Sequence, residues 1–173
     1  MKNKLLIIAL IAIVFINKIH AQDYATGQKH YNNYVGVGAG FTTGYGFSYR
    51  YIPENFGAMV NFAPYYQKDD NSTVSFGITL LQRLRESKDA GLYFYFANSV
   101  FYKKEYTPAS GYGTYPGQRY VKTNSTYNTG LGLDLQLYTG TSPIVVDLMG
   151  GFGGYDSFQT ITVTAEFAFY YRL

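Results

Sequence analysis

From Thr160 to Leu173 the chain alternates without a break. Ile161, Val163, Ala165, Phe167, Phe169, Tyr171 and Leu173 fall on one parity; Thr160, Thr162, Thr164, Glu166, Ala168, Tyr170 and Arg172 fall on the other. A side-chain period of two is the mark of a β-strand and fits no helix. The same pattern recurs along the chain, and it limits the fold more than any other feature.

Leu131, Leu133, Leu135 and Leu137 alternate with Gly130, Gly132, Asp134 and Gln136. Earlier segments follow suit: Val35 to Phe41, Tyr45 to Tyr51, Ala58 to Phe62 and Val74 to Leu80, with Ile144 to Met149 between the two cleanest. Leu92 to Tyr102 is apolar on both parities, so its faces stay unassigned. With it the chain offers eight strands. Their expected lengths are consistent with the roughly 9–11 residues that cross a bilayer at a tilt. No segment after the leader carries a helical period, and no repeat of 20–50 residues is present.

The connections differ in kind. IPEN (52–55), RESKDA (85–90) and TGTS (139–142) are turn-like. The alternate connections are TTG (42–44), QKDDN (67–71), the long segment 103–124 and GGYDS (153–157). Short turns on one side and longer loops on the other describe an antiparallel up-and-down barrel of the outer-membrane kind, with both termini periplasmic.

The start of the chain reads as an export signal. Lys2 and Lys4 precede the apolar run Leu5 to Ile16, and a polar stretch ends at Ala21. The run is shorter than the roughly 20 residues of a spanning helix. The expected organisation is a signal peptide at 1–21, a short polar periplasmic segment at 22–32 and a barrel at 33–173. There is no cysteine, which excludes disulfides, a lipid-modified cysteine and thiolate chemistry.

Alternation alone does not say which face is inside. A soluble lipocalin-like barrel carrying a small apolar ligand also alternates. Here the polar parity carries mainly Gly, Ser, Thr and Asn, with few of the Lys and Glu that a water-facing sheet needs. Charged residues make up 14% and aromatics 19% of the chain, against about 25% charged in soluble domains. Small side chains suit the interior of a narrow eight-stranded barrel, and the large apolar parity suits lipid. Aromatics near strand ends fit interfacial girdles: Tyr49, Tyr51, Phe56, Tyr138, Tyr170 and Tyr171 on one side, Tyr65, Tyr66, Tyr102 and Tyr127 on the other.

On these features the chain resembles the small eight-stranded outer-membrane barrels of the OmpA/OmpX kind, over the leader and the whole mature chain. The final segment AEFAFYYRL resembles the C-terminal signal by which such barrels are recognised for insertion. Phe167, Phe169 and Tyr171 hold the alternate aromatic positions, and Leu173 departs from the family's usual terminal Phe. The resemblance implies a Gram-negative outer membrane, lipid and lipopolysaccharide as surroundings, and the insertion machinery as a partner.

Chemistry is sparse. The two histidines are His20, in the leader, and His30, ahead of the first strand. A Ser–His site in the barrel mouth is therefore hard to build, which disfavours the alternative of a lipid A-modifying enzyme. Asp69, Asp70 and Asn71 offer hard-cation oxygens but read as a solvated turn. The Gly clusters at 36–40 and 150–154 fit no phosphate-binding motif. No metal, cofactor or nucleic-acid partner is expected.

Two groups of residues stand out. Arg50, Arg83, Asp134, Asp147, Glu166 and Arg172 share the polar parity and are expected to pair inside the barrel, since isolated charges there are costly. The long segment 103–124 brings Lys103, Lys104, Tyr106, Tyr112, Tyr115, Arg119 and Lys122 to the outer side. Tyrosine among small polar residues makes an adaptable contact surface, and the basic residues can meet lipopolysaccharide phosphates. The expected role is non-enzymatic, structural or surface-binding.

Overall fold

Each alternating segment becomes a strand. The computed structural model describes residues 31–66, 71–108, 119–139 and 142–173. Its strands are β1 (Asn33–Ala39), β2 (Gly46–Tyr51), β3 (Phe56–Tyr66), β4 (Asn71–Glu86), β5 (Ala90–Pro108), β6 (Arg119–Tyr138), β7 (Ile144–Tyr155) and β8 (Thr160–Arg172). Consecutive strands pair antiparallel, and β8 pairs with β1 to close an eight-stranded all-β barrel. The expected leader at 1–21 and residues 22–30 lie outside the described residues, as do Asp69, Asp70, Tyr112 and Tyr115.

Both ends of the described barrel chain come together with the short turns. Ile52 N–H donates to Asn32 C=O, Leu173 N–H to Asn33 C=O, and Arg172 N–H to Pro143 C=O. The opposite end carries the longer connections. This is the sidedness expected from the alternation of turns and loops.

The apolar parity faces outward. Val37, Phe47, Leu80, Leu131, Leu133, Leu148, Phe152, Val163, Phe167 and Phe169 are all exposed. The opposite parity is buried in the lumen: Ser48, Arg50, Asn61, Ser75, Thr79, Ser99, Asp134, Gln136, Asp147, Thr164 and Glu166. β5 now has faces: Tyr93, Tyr95, Ala97 and Ser99 point in, while Phe96, Val100 and Tyr102 are exposed. Its sequence hides this because tyrosine serves on both sides. Its ring is apolar and its hydroxyl polar, so the residue type alone does not mark a face.

Two expectations need correction. Tyr138 and Tyr170 are 9% and 2% exposed and fill the lumen, so they belong to no outer girdle. They sit on the parity of Asp134 and Glu166, and in a strand parity decides the face. Secondly, the long segment 103–124 is largely strand. Lys103 pairs with Asn124, and pairing continues to Pro108 opposite Arg119. Beyond the apolar belt both faces are polar, so period two disappears from the sequence while the backbone ladder continues. Residues 109–118 lie outside the described residues.

Candidate functional site: the sealed lumen and the tall hairpin

The lumen is organised around two anionic centres. In the first, Arg50 on β2 is fully buried between Asp134 on β6 and Asp147 on β7. Its Nη2 lies 3.0 Å from Asp134 Oδ2 and 2.5 Å from Asp147 Oδ2. The guanidinium lies over the Tyr170 ring at 4.8 Å, and its Nη2 is 3.6 Å from Met59 Sδ. Tyr170 OH bonds Ser48 Oγ at 2.6 Å and Met59 Sδ at 2.8 Å. Strand parity puts all these side chains inside, and the narrow bore brings opposite strands within reach. A cation held by two carboxylates and an aromatic face is compensated in a site that water does not reach.

The second centre is Glu166 on β8. It meets no arginine. Its Oε1 accepts from Thr42 N–H (2.8 Å), Thr42 Oγ1 (2.5 Å) and Thr164 Oγ1 (3.0 Å); its Oε2 accepts from Thr43 N–H (3.1 Å) and Thr43 Oγ1 (2.5 Å). Thr42 and Thr43 belong to the β1–β2 connection, which dips into the lumen. Asn61 Nδ2 donates to Thr43 C=O, while Ser99 Oγ and Asn128 Nδ2 donate to Phe41 C=O. Three strands besides β8 and the loop's own two, β3, β5 and β6, thus hold a stopper formed by residues 40–44 at the end away from the termini.

Small residues make room for it. A Cβ on Gly77 would lie 1.8 Å from Thr43 C=O, and one on Gly130 would lie 2.3 Å from Thr42 Oγ1. Sequence reasoning placed TTG (42–44) on the outer side but missed that it turns inward. The sequence put three arginines on the parity of Glu166 and so pointed to an arginine partner; nothing in it singled out Thr42 and Thr43.

The other two expected charges lie nearer the end with the termini and do not join either centre. Arg83 pairs with Glu86 at 3.0 Å, a residue outside the predicted set. Arg172 donates through Nη2 to Ser142 C=O and lies over Tyr31 and Tyr138 at 4.9 and 5.3 Å. The six charges are therefore distributed among four local arrangements: one triad, one loop anchor, one i,i+3 pair and one arginine on a carbonyl and two rings. Among the described residues no three metal-ligating side chains converge.

Away from the termini, β5 and β6 rise above their neighbours. β4 pairs with β5 as far as Asn71 opposite Glu105. β7 pairs with β6 only from Thr129 opposite Gly154. Among the described residues, 119–128 of β6 thus have β5 on one flank and no strand on the other, where Ser157 N–H donates to Tyr127 C=O. Lys103, Lys104, Tyr106, Arg119 and Lys122 all lie on this hairpin. Lys103 is ion-paired with Glu105. The hydrogen bond from Lys103, together with its charge, holds the Glu105 carboxyl below its ordinary value.

No protein-family model matches the chain, and no curated protein does. Solved structures to which the chain is similar include the following two. The N-terminal β-barrel domain of Pseudomonas aeruginosa OprF aligns with a TM-score of 0.47 at 12% identity, over 82% of this chain and 96% of that one. Ail, the attachment invasion locus protein of Yersinia pestis, aligns with a TM-score of 0.43 at 16% identity, over 82% of this chain and 94% of that one. The resemblance to small eight-stranded outer-membrane barrels holds at the level of architecture, which the strand order of this chain carries by itself.

Proposed function

We propose that this chain is an integral barrel of a Gram-negative outer membrane, exported by residues 1–21, with a non-enzymatic surface role carried by the tall β5–β6 hairpin. The observation that supports it is the inversion of polarity across the barrel wall. Leu131 and Leu133 are 48% and 49% exposed, whereas Arg50, Asp134 and Asp147 are 0% exposed. A soluble lipocalin-like barrel needs the reverse, because a continuous apolar belt in water marks a surface that must be covered. A bilayer covers it on all sides, and a closed barrel leaves no backbone edge in the lipid.

The lumen, filled by buried side chains and stoppered by residues 40–44, supports a role outside the barrel. The hairpin supports a contact surface: an open β6 flank, tyrosines, and basic residues at the height where lipopolysaccharide phosphates lie. The aromatic C-terminal parity supports recognition by the insertion machinery.

The chain has no cysteine, so single-cysteine variants report topology cleanly. On intact cells, a membrane-impermeant maleimide should label Thr123→Cys on the hairpin. It should label Glu54→Cys, in the β2–β3 turn, only after the outer membrane is permeabilised. The reverse pattern overturns the proposed sidedness, and with it the surface role of the hairpin.

A further inference from the structure

A β-bulge near the end of β4 sets one arginine apart. Up to Arg83 the odd-numbered residues of β4 face the lumen, with Ser75 and Thr79 fully buried and Leu81 nearly so. The register shifts between Arg83 and Arg85: Arg83 lies opposite Tyr93, but Arg85 lies opposite Leu92. Because Tyr93 and Gly91 face inward, Leu92 and Arg85 face outward, and Glu86 is returned to the inside. There it pairs with Arg83. A regular strand would have sent both arginines into the lumen.

Arg85 therefore projects from the outer wall just before the Ser87–Asp89 turn. Below Leu80, Gln82 is the next residue on the outward parity; the bulge, with Leu84 as its extra residue, then turns Arg85 outward. Among the described residues no ion pair takes up its charge, and its neighbour Glu86 is engaged on the opposite face. Beside it lies a groove of about 230 Å³ lined by Arg85, Ser87, Leu92 and Leu135 with the backbone at Ala90 and Gly91. Leu92 and Leu135 are register partners on β5 and β6. The groove thus has a cationic rim toward the turn and an apolar floor continuous with the lipid-facing belt.

We infer that this groove seats a phospholipid of the leaflet on the terminus side, its phosphate on Arg85 and the start of an acyl chain on Leu92 and Leu135. The inference rests on the membrane reading above. A guanidinium matches phosphate oxygens with two parallel donors. A free phosphate makes no use of the leucine floor, whereas a phospholipid uses both parts.

The test uses the full mature barrel refolded in zwitterionic micelles and titrated with phosphatidylglycerol, with retained lipid counted by native mass spectrometry. Wild type should hold one lipid that Arg85→Gln holds about tenfold more weakly, the scale of one hydrogen-bonded charge contact. Arg85→Lys should recover part of the loss. Leu92→Ser should weaken retention as well, and excess inorganic phosphate should leave the lipid in place. Arg85 is exposed, so the variant should keep the wild-type heat-dependent gel migration of a folded barrel. Equal retention by wild type and Arg85→Gln, both folded, overturns the site alone. Displacement by inorganic phosphate reduces it to an anion contact and overturns the lipid assignment. Failure of the wild type to insert into vesicles overturns the membrane reading, and this site with it.

Discussion

Arg50 is fully buried, and the carboxylates that meet its charge, Asp134 and Asp147, come from other strands. Removing it leaves Asp134 and Asp147 facing each other in a dry site. Arg50→Met should destabilise the barrel by about 3–5 kcal/mol, the usual cost of an uncompensated buried charge. Adding Asp134→Asn and Asp147→Asn to that change should recover much of the loss, because the three act as one unit. Denaturant titration of the barrel in lipid vesicles measures both. Strict additivity would mean that the three groups are not coupled. Glu166 is a different case, since its partners are neutral donors. Glu166→Gln keeps one acceptor oxygen but turns an NH₂ group toward one of the two donating loop amides, Thr42 N–H or Thr43 N–H. The expected cost is about 1.5–3 kcal/mol, with faster hydrogen exchange at Thr42 and Thr43 as the local signature. Unchanged exchange there would separate the stopper from Glu166. At this scale the sequence told which charges face inward, because parity is a property of the strand. It did not tell which charges meet. Partner choice depends on strand stagger around the barrel, and on a loop whose inward turn has no local signature beyond Thr42, Thr43 and the glycines that admit them.

Elements were most legible where a strand separates the apolar outer face from the lumen. β6 shows its register in four leucines and β8 in its aromatics, because each parity there meets one kind of surroundings. Two elements broke that rule. In β5, tyrosine occupies the inside at Tyr93 and Tyr95 and the outside at Tyr102, so composition carried no phase. In the upper β5–β6 hairpin both faces are polar, and a paired ladder read as a loop. The Arg83/Arg85 bulge is a third departure: it changes the phase of β4 within one residue, which periodicity cannot anticipate. Leu133 tests the assignment where it is clearest. Leu133→Arg should cost about 2–4 kcal/mol if mid-β6 lies at the bilayer midplane, again by denaturant titration in vesicles. A cost near zero would put β6 at the wrong depth. Gly77 tests the stopper from below. A side chain at this position meets the Thr43 carbonyl, so Gly77→Val should push residues 40–44 outward. Protease sensitivity at Phe41 should then rise while the strands stay protected; an unaltered loop would show that it does not fill the bore.

The whole molecule follows from one physical choice, which side of the wall meets water. Closure into a barrel follows from eight consecutive antiparallel strands whose first and last members pair, leaving no free edge within the belt. With that closure the polar parity becomes a lumen too narrow for anything beyond its own side chains, and the apolar parity becomes the outer surface. The sequence made this architecture visible because its low charge and its small polar residues left the lumen-facing parity unsuited to bulk water. What the outer hairpin contacts was not visible, since tyrosines and basic residues suit many partners. The inversion itself is open to direct measurement. Nitroxide labels can be placed by single-cysteine substitution at Leu133 on the outer wall and at Thr164 toward the lumen, and the barrel reconstituted in lipid vesicles. The label at Leu133 should collide freely with oxygen, which partitions into lipid, and scarcely with a water-soluble nickel chelate. The label at Thr164 should be protected from both. High nickel and low oxygen accessibility at Leu133 would place the leucine face in water and contradict the account.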